Sequence, residues 1–307
     1  MVLRIFPYSN RTLSSQDSRK IQPIDTQNDC LWEGPISERL VSWVEPLWRG
    51  AFKLVRREAL TGWRDFWRVA KELWTQTLSR ILIYIQRQRH GGAILFCPAT
   101  EDSEFSIKYA LDYRRIPEAM LQGLRNRISG SHAREMIDFF MDEKDANEML
   151  TGLLLDDAVS DGDVEDAQES LTGAVRFISS MAGVDGLILA SPDFSICGFG
   201  VEIIAQQDLE ELTATSSADL KVSRKVRANS YGTRHRSMAR FCAKNPKSIG
   251  FVVSQDGDIR ALMQVGNETV LFENVQVHSL WDDDFPKRMA AQRALKRRPR
   301  NRSSIRN

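Results

Sequence analysis

Short apolar runs alternate with amphipathic stretches along most of the 307-residue chain. Apolar runs of about four to eight residues are typical of buried strands, whereas the apolar residues of 165–182 recur at helical spacing. This alternation predicts an α/β fold in which a central mixed β-sheet is flanked by helices. We expect strands of that sheet near Ala93, Leu187, Phe199, Phe251 and Leu262.

Turn residues between these runs predict how the strands connect. A Ser-Pro-Asp turn at 191–193 divides the segment 184–203 into two apolar runs, and a Gly-Asn turn at 266–267 separates two later runs. Both patterns predict β-hairpins. The segment 231–257 has the order loop, helix, turn, strand, turn, and an Asn-Pro breaker at 245–246 ends its helix.

The region 31–89 is rich in tryptophan and is predicted to be helical. Apolar residues recur there at helical spacing, and Arg and Lys occupy the other faces. Two interpretations are open: the stripe packs against the rest of the chain or a partner chain, or it lies in a membrane surface. We favour packing. The six tryptophans of this region are Trp32, Trp43, Trp48, Trp63, Trp67 and Trp74.

Polar composition and charge predict the remaining organisation. The pattern over 99–160 is mostly helical, and the polar stretch 205–229 predicts a loop of the length that often covers a ligand site. The predicted organisation is a flexible arm at 1–30, a helical region at 31–89, a sheet-containing domain at 90–280 and a basic tail at 281–307.

Composition narrows the function classes. The chain is 42% hydrophobic and 27% charged with a net charge of +1, so no overall charge excess favours nucleic acid or an anionic membrane. It has no apolar run long enough to predict a membrane span. Its four cysteines lack CxxC spacing, which favours free thiols over a zinc or disulfide framework and a cytoplasmic location.

The candidate chemistry begins at Gly232 and Thr233, which are followed at once by the triplet Arg-His-Arg at 234–236. Two guanidinium groups and an imidazole at a helix N-terminus, beside free backbone N–H groups, form an anion site suited to phosphate oxygens. A solvated basic patch is the alternative for the triplet alone. A second element favours a site, because Asp185 and Gly186 precede a predicted strand, where a carboxylate can face a pocket and a glycine lets a ligand approach closely.

These motifs together resemble the diadenylate cyclase domain, a nucleotidyltransferase-like module that joins two ATP molecules into cyclic di-AMP. The family's Asp-Gly-Ala is present as Asp-Gly-Leu at 185–187, and its Gly-Thr-Arg-His-Arg is retained at 232–236. Its Val-Val-Ser-Glu-Glu corresponds to Val-Val-Ser-Gln-Asp at 252–256. The three motifs occur in the family's order, and the resemblance covers the region from Arg89 to Val275.

Two departures from the family pattern are notable. Leu187 replaces a small alanine beside the nucleotide, and Gln255 with Asp256 replaces a pair of glutamates. The sequence around the motifs is more similar to a divergent branch regarded as nucleotide sensors, the DACNV type, than to housekeeping synthases. Those synthases often carry transmembrane helices ahead of the domain, which this sequence is predicted to lack.

The resemblance implies a role for each motif residue. Asp185 would act near the attacking 3′-hydroxyl or a metal ion, and Arg234 and Arg236 would grip phosphates. The implied catalytic residues are Asp185, Gly186 and His235. The implied nucleotide-binding residues are Leu187, Gly232, Thr233, Arg234, Arg236 and Ser254. The implied ligands of Mg²⁺ or Mn²⁺, which the catalytic reaction needs, are Asp185, His235 and Asp256.

The expected function follows from the same resemblance. We expect a module that binds ATP or cyclic di-AMP as a nucleotide sensor. The alternative is an active cyclase that condenses two ATP into cyclic di-AMP and pyrophosphate, and a third interpretation is a scaffold that has lost its ligand. Condensation needs two protomers face to face, so a homodimer or higher oligomer is the expected partner state, whereas binding alone needs none.

Overall fold

The computed structural model describes residues 29–53, 63–98, 104–140, 147–204 and 209–277, and its centre is a nine-stranded mixed sheet. The strand order is β2-β4-β3-β1-β7-β8-β9-β5-β6. The strands are β1 Gly92–Phe96, β2 Phe105–Tyr113, β3 Leu187–Ala190, β4 Ile196–Ile203, β5 Glu211–Thr215, β6 Ser223–Arg227, β7 Ile249–Val253, β8 Ile259–Val265 and β9 Glu268–Phe272.

Five helices accompany the sheet in the described ranges. They are α1 Gly34–Lys53, α2 Trp63–Arg87, α3 Arg115–Phe140, α4 Asn147–Met181 and α5 Thr233–Lys244. Alternate residues of a strand point to opposite faces, and the buried residues of β1 divide accordingly. Ile94 and Phe96 belong to the core shared with α1 to α4, whereas Ala93 and Leu95 belong to the core shared with α5. The predicted α/β fold with a central mixed sheet is therefore confirmed.

All five predicted strand centres lie in this one sheet. β1 is parallel to β3 and antiparallel to β7, so the middle of the sheet is mixed. β3 and β4 form the hairpin predicted from 184–203, and β8 and β9 join at the turn 266–267, where Val265 pairs with Glu268. These predictions succeeded because turn residues and short apolar runs are local signals.

Two tryptophans of the 31–89 region lie in the main core. The Trp74 ring is 0% exposed and lies 4.5 Å from the Phe194 ring and 5.5 Å from the Phe96 ring, measured between centroids. Trp43 lies 5.8 Å from both Trp74 and Phe96. The indole N–H of Trp74 donates to the carbonyl of Pro192 at 2.9 Å. α1 and α2 therefore share one core with the sheet.

One sequence prediction was wrong, and another was correct but incomplete. The stretch 99–160 is mostly helical as predicted, but it also contains strand β2 before α3. That strand was missed because β2 is an edge strand whose exposed residues lack the long apolar run of a buried strand. The stretch 205–229, predicted to be a loop, contains the antiparallel pair of β5 and β6. β6 is the outermost strand and mostly exposed, so its polar composition resembled that of a loop.

Several terminal predictions fall outside the described residues. These include nearly all of the arm at 1–30 and all of the tail at 281–307, together with residues 278–280. Among the described helices, none has the length and apolar character needed to cross a membrane. The four cysteines, all in the described ranges, form no disulfide, and three of them are buried.

We predict that Trp74→Ala lowers the free energy of unfolding by about 3–5 kcal/mol, because it removes a buried ring and leaves a cavity among aromatic neighbours. Denaturant unfolding followed by circular dichroism measures this change. Leu155→Ala on α4 is the control, since Leu155 is 65% exposed, and its effect should stay within about 0.5 kcal/mol. Equal effects for the two variants would contradict the packing described here.

Candidate functional site

The sequence motifs meet at one end of the sheet, the end at which β1 and β3 begin and β7 finishes, called here the site end. β1 and β3 are parallel and β7 is antiparallel to β1, so Asp185 before β3 and Ser254 after β7 lie at the same end. α5 leads into β7 and packs against it, so the N-terminus of α5 also lies at the site end. The fold thus brings three separate motifs together.

The position of α5 is fixed by close packing on the sheet. Met238, Phe241 and Cys242 are fully buried on its inner side. A Cβ atom added at Gly250 of β7 would lie only 2.1 Å from the sulfur of Met238, so this glycine permits the helix to approach the strand. Close packing of this kind holds the first turn of α5 in a defined place above the sheet.

The helix begins without a side-chain cap. Gly232 is the N-cap in an extended conformation, with φ −63° and ψ 166°, and its carbonyl accepts the first helical hydrogen bond from the Arg236 N–H at 3.1 Å. The first backbone N–H groups of a helix have no partner within the helix and carry partial positive charge. No atom lies within 4 Å of the Cβ position at Gly232, which leaves open space beside these groups.

Asp185 and Arg234 form a direct ion pair across the site. Arg234 Nη2 lies 3.2 Å from Asp185 Oδ1, and the Asp185 side chain is 99% exposed while that of Arg234 is 39% exposed. The same carboxylate oxygen accepts the Gly186 backbone N–H at 3.0 Å. Because the pair is exposed, it is weak, and either partner can exchange it for a ligand.

Gly186 has a structural role that the sequence did not show. Its φ is +111°, in the region that favours glycine, and an added Cβ would lie 2.6 Å from the carbonyl carbon of Gly200. The glycine therefore lets β3 approach β4. The sequence had suggested instead that it lets a ligand approach.

Two other residues predicted to bind the nucleotide, Leu187 and Ser254, make contacts within the protein. Leu187 is buried in the core beneath α5, where it pairs with Val201. Ser254 supports the turn between β7 and β8: its hydroxyl oxygen accepts the Asp258 N–H at 3.0 Å, and its own N–H donates to the Asp258 carbonyl at 2.8 Å. The Ser254 hydroxyl retains its hydrogen as a donor, and Asp256 is exposed in the same turn.

The first turn of α5 contains buried nitrogen atoms that have no hydrogen-bond partner within the described part of the chain. Arg236 Nη2 reaches the Thr233 hydroxyl at 3.4 Å, but Arg236 Nε is buried with no hydrogen bond. His235 Nε2 is in the same situation, and so is Arg260 Nε on the neighbouring strand β8. Leaving a buried polar group unpaired costs about 1–3 kcal/mol, so three such nitrogens near one helix N-terminus indicate a place built for an acceptor.

A cluster around Tyr231 was missed by the sequence analysis. Arg224 binds Glu273 through two hydrogen bonds of 2.7 and 2.8 Å, and the Tyr231 hydroxyl donates to Glu273 at 3.2 Å. The Arg260 guanidinium lies 5.8 Å from the centre of the Tyr231 ring, and the His235 ring lies 5.9 Å from it. The alternation of side chains along β8 could have revealed Arg260. In a strand, Arg260 lies on the same face as Leu262, and Leu262 is buried beneath α5.

His235 is neutral near pH 7. Burial is the main cause that lowers its pKa from 6.5 to about 4, and the positive charge of Arg260 contributes in the same direction. Because the folded-state pKa lies below that of the unfolded chain, the unfolded chain binds the proton first. His235 therefore contributes stability in full above about pH 6.5, and that contribution is lost as the pH falls towards 4.

The proposed metal ligands fit an ion only in part. Asp185 and Asp256 offer exposed carboxylates, the ligands that Mg²⁺ prefers. His235 offers a neutral imidazole, but the charge of Arg260 that disfavours a proton there also disfavours a divalent cation. Among the described residues, no three His, Cys, Asp or Glu side chains form a group that could hold a metal ion. The metal assignment stays a prediction.

Comparison with protein-family models, with curated proteins and with solved structures found no match to this chain.

We predict that Gly186→Ala destabilises the fold, because the new methyl group meets the Gly200 backbone and the residue must keep a positive φ. The free energy of unfolding should fall by about 1–3 kcal/mol or more. Gly232→Ala is the matched control at the same site, since its Cβ position is open and its φ is ordinary, and it should cost only about 0.5–1 kcal/mol because alanine is a poorer N-cap than glycine. A stable Gly186→Ala protein would refute the structural role.

We predict that Arg260→Gln raises the pKa of His235, because the substitution removes the nearby positive charge while the burial remains. The pKa should still lie below 6.5. The Cε1–H proton resonance followed against pH measures this value, and its loss in His235→Gln assigns the signal. Arg240→Gln, further along α5, is the control and should leave the titration unchanged. An unaltered pKa in Arg260→Gln would show that the two groups are not coupled.

Proposed function

We propose that the N-terminus of α5 binds the phosphate of an adenine nucleotide, ATP or cyclic di-AMP, and that the domain acts as a nucleotide sensor of the diadenylate cyclase type. One observation carries this proposal. Buried nitrogens of His235 and Arg236 without partners lie in the first turn of a helix whose start is open to solvent. The identity of the nucleotide comes from the motif resemblance alone.

The electrostatics of the site favour an anion over a cation. Helix N-termini attract negative charge, and Arg236 has no ion pair with a carboxylate among the described residues. Arg234 faces only an exposed carboxylate, which a phosphate can displace. Guanidinium groups bind phosphate through two parallel hydrogen bonds. Two arginines in the first turn of α5, beside its open backbone N–H groups, therefore suit a phosphodiester or a triphosphate.

An anion at this site would also satisfy His235. A phosphate oxygen accepts a hydrogen bond from Nε2, and its negative charge offsets the positive charge of Arg260. Binding should therefore raise the pKa of His235 towards its ordinary value. A metal ion would have the opposite effect, because it adds positive charge beside Arg260.

Asp185 has a different task in this proposal. Its exposed carboxylate lies 3.2 Å from the Arg234 guanidinium, so both side chains can contact neighbouring groups of one ligand. A carboxylate cannot bind phosphate, but it accepts hydrogen bonds from hydroxyl groups, which suits the ribose of a nucleotide. If Mg²⁺ or Mn²⁺ accompanies the nucleotide, Asp185 and Asp256 are the residues that would hold it, and the ion would neutralise phosphate charge.

An active cyclase is the second candidate, and the exposure of Asp185 favours it. The group that the resemblance places near the attacking 3′-hydroxyl is open to a second substrate molecule. Condensation also requires two sites facing each other, because each 3′-hydroxyl attacks the α-phosphate of the other nucleotide and expels pyrophosphate. The sensor requires one site only.

We predict that Arg234→Ala and Arg236→Ala each weaken the binding of ATP and cyclic di-AMP by about ten- to a hundredfold, because each removes a charge-assisted bond to phosphate. Arg234→Lys should recover part of the loss, since lysine keeps the charge but not the planar fork. Isothermal titration calorimetry with the full chain measures these affinities. Arg240→Ala, on the same helix beyond its first turn, is the matched control.

The same experiment separates the two candidates. Asp185→Asn should leave binding within a few-fold of the parent, while a cyclase would lose its production of cyclic di-AMP and pyrophosphate from ATP with Mn²⁺ or Mg²⁺. A parent protein that binds but forms no product is a sensor. If Arg234→Ala and Arg236→Ala bind both nucleotides as tightly as the parent, the phosphate site lies elsewhere and the proposal fails.

A further inference from the structure

A polar groove lies between α3 and α4, on the helical side of the sheet. Its volume is about 410 Å³, which is within the range of ligand sites. Polar residues recur every three or four positions along each helix, so two polar rows face each other across the groove. These residues are Glu118, Gln122 and Asn126 of α3 and Asp163, Asp166 and Ser170 of α4. The small side chains of Ala119 and Ala167 lie between the rows and leave the space open.

The groove is negatively charged. Glu118, Asp163 and Asp166, called here the groove carboxylates, are all exposed. α4 contains eight acidic residues and a single basic one, and no Lys, Arg or His occurs in it between 147 and 175. The carboxylates are spread along the groove, and among the described residues no group of three could hold a metal ion. A ligand with several positive charges along its length therefore suits the groove better than a single metal ion.

A buried amide indicates that the ligand also offers hydrogen-bond acceptors. Asn126 lines the groove and is only 9% exposed. Its Oδ1 accepts a hydrogen bond from Gln122 Nε2 at 2.9 Å, but its Nδ2 is buried and has no hydrogen-bond partner in the described structure. An unpaired buried donor is costly, so we expect the ligand to bring an acceptor such as a peptide carbonyl. A polyamine has the positive charge but lacks the acceptor.

We propose that this groove binds the basic segment 287–307 of the same chain. The segment lies outside the described residues, and it contains nine Arg or Lys and no acidic residue. Its charge is therefore opposite to that of the groove, and its peptide carbonyls are acceptors that suit Asn126. Three aspartates at 282–284 precede the segment and are not part of the proposed occupant.

The segment can reach the groove. Val275 and Val277 pack into the core that α1 to α4 share with the sheet, so the described chain ends beside the helical layer. The residues that follow, 278–307, span up to about 100 Å when extended, about twice the length of α4. Tethering keeps the segment at an effective concentration of about millimolar, so a contact made of individually weak exposed ion pairs can be occupied.

Carbodiimide cross-linking of the full chain tests this contact, because it joins a lysine amine to a carboxylate only where the two touch. We expect links from Lys287 or Lys296 to the groove carboxylates in the monomer fraction, and we expect them to disappear at about 1 M salt. Links distributed evenly over exposed carboxylates of the sheet, such as Glu210, would overturn the proposal. In a mixture of isotopically light and heavy protein, links mainly between light and heavy chains would also overturn it, because the occupant would then be a second copy.

Neutral substitutions in the groove provide the second test. In the triple variant Glu118→Gln/Asp163→Asn/Asp166→Asn, trypsin should cleave within 287–307 about fivefold faster than in the parent, or more, because three ion pairs that hold the segment are lost. The matched control makes the same change of charge on the sheet: Glu202→Gln/Glu210→Gln/Glu211→Gln should be cleaved like the parent. An unchanged rate in the groove variant would show that the segment does not bind there. Equal acceleration in both triple variants would contradict the proposal as well, because the attraction would then be general.

Discussion

The close packing of α5 on the sheet is the constraint on which the candidate site depends. The absence of a side chain at Gly250 allows Met238 to pack against β7, and this contact fixes the position of the first turn of the helix. Without it, the Arg-His-Arg triplet would be an ordinary exposed basic patch. With it, Arg234 reaches Asp185 from a different part of the chain, and His235 and Arg236 are buried far enough to leave nitrogens without partners. The chemistry of the site is thus a result of core packing.

Burial and charge then give the two halves of the site different properties. Asp185 and Arg234 are exposed and form a pair that a ligand can replace at small cost. His235 and Arg260 are held beside Tyr231, whose hydroxyl donates to Glu273, and burial together with the charge of Arg260 lowers the pKa of the imidazole and keeps it neutral. The Asp185–Arg234 pair can exchange its partner for a ligand, whereas His235 and Arg260 have buried nitrogens without hydrogen-bond partners in the described structure. A ligand with both hydroxyl groups and phosphate would engage the two halves together.

Local signals explain what could be predicted from the sequence. The hairpins, the limits of α5 and the strand that follows it were read from turn residues and short apolar runs, which act over a few residues. Strand β2 was missed because its exposure depends on its place at the edge of the sheet. Arg260 was missed because its orientation depends on the strand face that α5 covers. The packing role of Gly186 was missed because Gly200 is brought close to it only by the β3–β4 pairing.

The two candidate functions place different requirements on how two copies of the chain could associate. A condensing enzyme must present its site end to that of a second protomer, whereas a binding module is free to use any other surface for association. The open space at Gly232 and the nitrogens of His235 and Arg236 that have no partner in the described structure all lie at the site end of one protomer. Binding an anion there requires no second copy of the chain, whereas condensation does.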